Sequence, residues 1–215
     1  MKKVLKWILK ITLLFIIGFA FYKVAGPMLP EVDLSSLLKG EGLLIYKQVN
    51  YGWLKTSLPF TLKKDVQQAS LAKNTMNAVY LALFRTQVIT QLELYSNRQE
   101  HTAKKFRLDI TYMATIPGIK HQAIDTLTSA LTKEGFKQQA TQAAKKAQRT
   151  KENGAIKYSY QAEAKHKNKT TVLVAISCTK NNTDLILLGY GEDTPQNKKF
   201  IEHILAKTEC FPTEK

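Results

Sequence analysis

The sequence predicts an α+β fold: an N-terminal membrane helix followed by a mainly antiparallel sheet with helices packed on it. Three observations lead there. Stretches alternating apolar and polar residues with period two are joined by short polar turns, as in Phe106 to Ile116, Ile156 to Ala164 and Thr170 to Cys178. Between and beyond them, apolar residues recur at spacings of three and four. A lysine-flanked apolar run stands at the very start. Because neighbouring strands meet through tight turns, the sheet is antiparallel and the fold is not a doubly wound nucleotide fold.

The first segment sets the expected address. Lys2, Lys3, Lys6 and Lys10 precede the 12-residue apolar run Ile11 to Tyr22. Adding Val4 to Leu9 gives about 19 residues, roughly 28 Å of helix, with Lys6 and Lys10 snorkelling to the headgroups. Trp7 and Tyr22 fall where aromatic belts lie, and the lysines orient the N-terminus towards the cytoplasm. Residues 1–26 are therefore expected to be a transmembrane signal-anchor. The localisation that follows is single-pass in the cytoplasmic membrane, with the C-terminal domain outside. Cleavage of a secretory signal is the alternative: Gly18-Phe19-Ala20 offers small residues, but leaves a short hydrophobic region.

Residues 27–54 begin with linker composition, with Pro27, Pro30, Ser35, Ser36 and Gly40. Leu43 to Leu62 reads as extended segments, and an amphipathic stretch on the bilayer surface is the alternative. The α+β domain is expected over 55–215. Its first helix starts after a capping Asp65 and carries Val66, Ala69, Met76, Val79, Tyr80 and Leu83. Gln87 to Tyr95 and Phe106 to Ile116 follow as a hairpin, with Phe106, Leu108 and Ile110 on one face and Arg107, Asp109 and Thr111 on the other. A helix bearing Ile119, Ala123, Leu127 and Leu131 stops at Lys133-Glu134-Gly135. Residues 137–153 are polar and show no apolar face. Three meandering strands then run from Ile156 to Ala164, Thr170 to Cys178 and Leu185 to Tyr190. The middle one is expected to be buried on both faces. The last helix has Thr194 as cap and Pro195 at its first position.

The order Leu58-Pro59-Phe60, helix, strand pair, helix ending at Lys133-Glu134-Gly135-Phe136, meander and final helix resembles the PsbP-like and DcrB-like exported domains. It covers about residues 55–207 and includes no signature motif. The resemblance implies a small noncatalytic α/β sandwich tied to membranes or membrane complexes, and it transfers no functional residue.

Chemistry is sparse. His101, His121, His166 and His203 are isolated and expected to be solvated; no metal-ligand spacing occurs. No nucleophile elbow is present, so neither a catalytic residue, a cofactor nor a metal is assigned. Gly189-Tyr190-Gly191 reads as a tight turn instead of a phosphate loop, because Glu192 and Asp193 would repel phosphate. Asn168-Lys169-Thr170 and Asn181-Asn182-Thr183 match the glycosylation pattern, but turn chemistry accounts for them. Cys178 and Cys210 could pair in an oxidising compartment or remain thiols.

The chain carries 32 Lys+Arg against 17 Asp+Glu, a net +15. Four of those charges belong to the N-terminal segment, and a net of +7 lies between Lys137 and Lys169. Lys145, Lys146, Arg149, Lys151, Lys165, Lys167 and Lys169 are the candidates for an anionic surface. A nucleic acid is disfavoured because Tyr158 and Tyr160 point away from Lys157. The expected function is a membrane-anchored, noncatalytic domain binding a membrane-associated protein or an anionic envelope polymer. An envelope hydrolase with a dispersed site is the alternative.

Overall fold

A computed structural model of the chain describes residues 31–33, 44–84, 86, 88–96, 106–114, 122–166 and 168–213. They form two antiparallel sheets and four helices. The smaller sheet has the order β1-β2-β3-β11, with β1 at Glu31–Asp33, β2 at Leu44–Asn50, β3 at Leu54–Pro59 and β11 at Glu209–Cys210. The larger runs β4-β5-β6-β10-β9-β8-β7. Its strands are β4 Lys63–Lys64, β5 Ile89–Ser96, β6 Phe106–Ala114, β7 Gln148–Glu152, β8 Ala155–His166, β9 Lys169–Lys180 and β10 Thr183–Glu192. The helices are α1 Val66–Phe84, α2 Ala123–Lys133, α3 Lys137–Lys146 and α4 Pro195–Lys207.

This is an α+β fold with helices packed on an antiparallel sheet. The membrane helix in the expected fold class is corrected: among the described residues no helix is long and apolar enough to cross a membrane. Residues 1–26, on which that expectation rested, lie outside the described residues. Signal-anchor, membrane partner and single-pass localisation are accordingly not carried forward, nor is the membrane-anchored function built on them. The alternative, an envelope hydrolase, is not carried forward either. Among the described residues no group of three or more His, Cys, Asp or Glu is placed to hold a metal ion.

The large sheet has two covered faces, and β9 shows why. Val172, Val174, Ile176 and Cys178 point into one core; Leu173 and Ala175 point into the other. On the first side lie the small sheet and α4, with Tyr46, Leu54, Leu58, Phe106, Phe200 and Ile204 at 2% exposure or less. On the second side α2 and α3 supply Leu127, Leu131, Phe136, Ala140 and Ala143. The disulfide Cys178–Cys210 joins β9 to β11 and so ties the two sheets together.

Local signals place the ends of these elements. The Asp65 carboxylate accepts from the Gln68 amide at 3.0 Å, and Thr194 caps α4 by accepting from Asn197 N at 3.1 Å. Gly135, at φ +90°, takes the left-handed conformation that closes α2. Asn153 and Gly154 (φ 50° and 77°) and Asn181 and Asn182 (φ 49° and 60°) form the turns of the two flanking hairpins.

Three segments differ from expectation. Within 27–54, β1 falls where linker composition is expected, while β2 lies in the Leu43 to Leu62 stretch read as extended; both belong to the small sheet. Residues 137–153 hold α3 and the edge strand β7, where the sequence shows no apolar face. Gly189 and Gly191 do not turn the chain; both lie inside β10. Gly189 is small because a Cβ there would meet Leu108 Cδ1 and Val174 Cγ1 at 3.0 Å and Phe106 Cζ at 3.1 Å.

Candidate functional site

Strand alternation creates the floor of a cleft. With Phe106, Leu108 and Ile110 committed to the first core, Arg107, Asp109, Thr111 and Met113 of β6 emerge on the opposite face. Register aligns Asp109 with Leu94 and Leu188, and Thr111 with Leu92 and Ile186. Asp184 stands beside Met113 at the end of the same row. Helices α1 and α2 rise on either side of this floor.

Helix α1 buries few of its described side chains. Its buried residues are Ala69 and Asn77, a small and a polar side chain on one i, i+4, i+8 row with Lys73. Asn77 is the clamp. Its Nδ2 donates to Ile89 O at 2.9 Å, and its Oδ1 accepts from Val88 N at 3.2 Å and Ile89 N at 2.8 Å. These backbone groups precede the β5 bulge at Ile89/Gln91, so a side chain completes what the ladder leaves open. Lys73 Nζ adds a bond to Thr90 O at 2.6 Å. Leu71, Val79 and Leu83 remain more than half exposed.

Asn77→Ala is expected to destabilise the domain by about 1–3 kcal/mol, because two buried amides and a carbonyl lose their partner. Urea unfolding measures that cost. Amide exchange at Val88 and Ile89 should accelerate while β9 amides stay protected; uniform exchange across both strands would contradict a local clamp.

The resulting cavity measures about 640 Å3. Leu71, Met76 and Tyr80 line it from α1, and Thr126, Ser129 and Ala130 from α2. Leu92, Leu94, Met113, Ile186 and Leu188 make the floor mostly apolar.

Charges gather at its two ends. At one, Arg107 chelates Asp109 through two hydrogen bonds of 2.8 Å, while Tyr190 Oη donates to Glu134 Oε2 at 3.1 Å. Lys133 Nζ reaches from α2 to within 3.3 Å of Met76 Sδ on α1. Burial pushes the Asp109 carboxyl above the usual carboxylate range, with Arg107 pulling the other way. Burial likewise raises the Tyr190 phenol, while the hydrogen bonds to Asp109 raise Arg107. At the other end is Asp184, 2% exposed, which accepts from Thr179 Oγ1 at 2.6 Å and Thr126 Oγ1 at 3.2 Å.

The basic residues read from the sequence lie elsewhere, and the fold divides them. Lys145 and Lys146 end α3, and Arg149 and Lys151 lie on the adjoining edge strand β7, all exposed. Lys165 and Lys169 sit at the far tip of the β8–β9 hairpin, seven residues or about 23 Å along β8 from Tyr158, the partner of Arg149. Lys169 is paired with Glu192 at 2.6 Å. Lys167 lies outside the described residues. Of the histidines, His166 packs on Phe136 and His203 stacks on Tyr46 at 3.6 Å between centroids. Both are half-buried ring contacts, not solvated side chains; His101 and His121 lie outside the described residues.

No cleft residue was a candidate from sequence. Arg107, Asp109 and Thr111 look like an ordinary solvent face, and Asp184 looks like part of a turn. The one signal available was an apolar helix, α1, with more large residues than one buried stripe needs.

No protein-family model matches the chain, and neither does any curated protein. Among solved structures, the chain is similar to a crystal structure from Bacteroides thetaiotaomicron VPI-5482, with a TM-score of 0.36 and 11% identity. The match covers 77% of this chain and 48% of that one, so the chain spans about half the length of its structural neighbour. Nothing in these comparisons bears specifically on a PsbP-like or DcrB-like relationship.

Proposed function

We propose that this domain is a binding module, not an enzyme, and that it takes a small, largely apolar molecule into the cleft between α1 and α2. The observation that carries the reading is the cavity itself. Its 640 Å3 falls within the size of small-molecule sites, and it combines an apolar floor with a few polar groups at its ends. The polar groups support binding over catalysis because they are engaged with one another. Arg107 is held by Asp109, Glu134 by Tyr190, and Asp184 by two threonine hydroxyls. Such groups orient a ligand and reject wrong ones.

Binding of N-phenyl-1-naphthylamine, a neutral dye that brightens in apolar surroundings, tests this. One saturable site per chain is expected. Ala130→Trp puts an indole into the cleft from the α2 wall and should weaken binding about tenfold or more. Ala144→Trp, on the exposed side of α3, serves as control and should leave it unchanged. Equal binding by both folded variants would refute the cleft as the site.

A further inference from the structure

We infer that the molecule held in this cleft carries a cationic amine, and that Asp184 receives it. The inference rests on the proposed cleft binding and adds the chemical class of the ligand.

Charge balance within the cleft points to Asp184. The far end compensates itself: Arg107 and Lys133 face Asp109 and Glu134, two cations beside two anions. Asp184 has no such counterpart. Its two oxygens accept from Thr179 and Thr126 hydroxyls, and no cation is paired with it among the described residues. A carboxylate only 2% exposed here meets its desolvation cost with two neutral hydroxyl donors and no opposite charge among the described residues. A ligand ammonium would offset that cost with a charge-assisted hydrogen bond.

Position supports the same assignment. Asp184 closes one end of a row that continues through Ile186 to Leu188, which pairs with Asp109. Four residue steps along the strand separate the two charged ends, about 14 Å of floor. An amine at Asp184 would therefore lay its apolar chain over Ile186, Leu188, Leu92 and Met113. An anionic head at that end would face an unbalanced carboxylate in a low-dielectric wall and be repelled.

Displacement of N-phenyl-1-naphthylamine by 1-octylamine, 1-octanol and octanoate, all at neutral pH, tests the class. The three share a chain and differ in head charge. The native protein should prefer octylamine over octanol by about tenfold or more, with octanoate weakest. Asp184→Asn should bring octylamine and octanol to within about threefold of each other while octanol still binds. Thr126→Val removes a competing hydroxyl donor and should widen the preference for the amine, which keeps the test decisive if Asp184→Asn does not fold. Equal displacement by all three compounds would overturn the amine assignment and leave the cleft reading intact. Saturable dye binding that Ala130→Trp leaves unchanged would instead remove the cleft, and the amine assignment with it.

Discussion

Phe106→Ala is expected to lower stability by about 3–5 kcal/mol, the range for truncating a fully buried aromatic side chain. Phe106 is 1% exposed and meets Phe200 of α4 edge-to-face at 5.8 Å between centroids. Phe200 in turn meets Tyr46 of β2 at 6.3 Å, so one ring contact chain joins the large sheet, α4 and the small sheet. The void opens where Gly189 lies, because Phe106 Cζ is one of three atoms that a Cβ at 189 would press against. Gly189→Ala alone should cost about 1–3 kcal/mol by overpacking. Combined with Phe106→Leu, it should cost less than the sum of the two single changes, since the smaller side chain releases one of the three contacts. Urea midpoints of the four proteins measure this coupling. Strict additivity would show that Gly189 is constrained by Leu108 and Val174 alone.

Removing the disulfide should be nearly as costly. Cys178 and Cys210 are separated by 32 residues, a loop for which the chain-entropy account gives about 3–4 kcal/mol. The bond closes the β10–α4 unit and holds the two-residue strand β11 against β3, a pairing of only Glu209 with Lys55 and Cys210 with Leu54. Cys178→Ala/Cys210→Ala is expected to lower the unfolding free energy, measured by urea denaturation, by that amount, and dithiothreitol should reproduce the loss in the native protein. Local support around β11 limits how much is lost in geometry. Asn153 donates to both Glu209 and Cys210 O at 3.1 Å, and the buried Thr56 and Thr208 hydroxyls bond at 2.8 Å. A cost below about 1 kcal/mol would mean that these bonds already confine the segment in the unfolded ensemble.

Legibility in the sequence followed contrast between side chains. The meander was readable because Val172, Val174 and Ile176 alternate with residues of a different face, and because Asn-rich turns separate the strands. Helix α3 was not, since its buried side is Gln139, Ala140 and Ala143, which differ little in hydrophobicity from their exposed neighbours. Strand β7 is Gln-Arg-Thr-Lys-Glu, nearly all exposed, and its burial pattern carries no period-two signal. Its turn, Asn153-Gly154, is its readable mark. The membrane helix rests on a lysine-flanked apolar run with aromatics at its ends, in a segment outside the described residues, so the described fold lends it no support.

The sequence by itself determined the antiparallel meander, the Asp65 and Thr194 caps, the Gly135 stop and the two-faced character of β6 and β9. Those depend on interactions within a few residues, where periodicity and turn chemistry act directly. Only the tertiary structure decided that β10 inserts between β6 and β9, that two cysteines meet across the sheets, and that α1 and α2 border one cleft. These depend on which distant segments share a surface. Asp184 is the clearest case: beside Asn181-Asn182 it reads as a turn residue, yet packing under Thr126 makes it a buried carboxylate at the end of an apolar cleft.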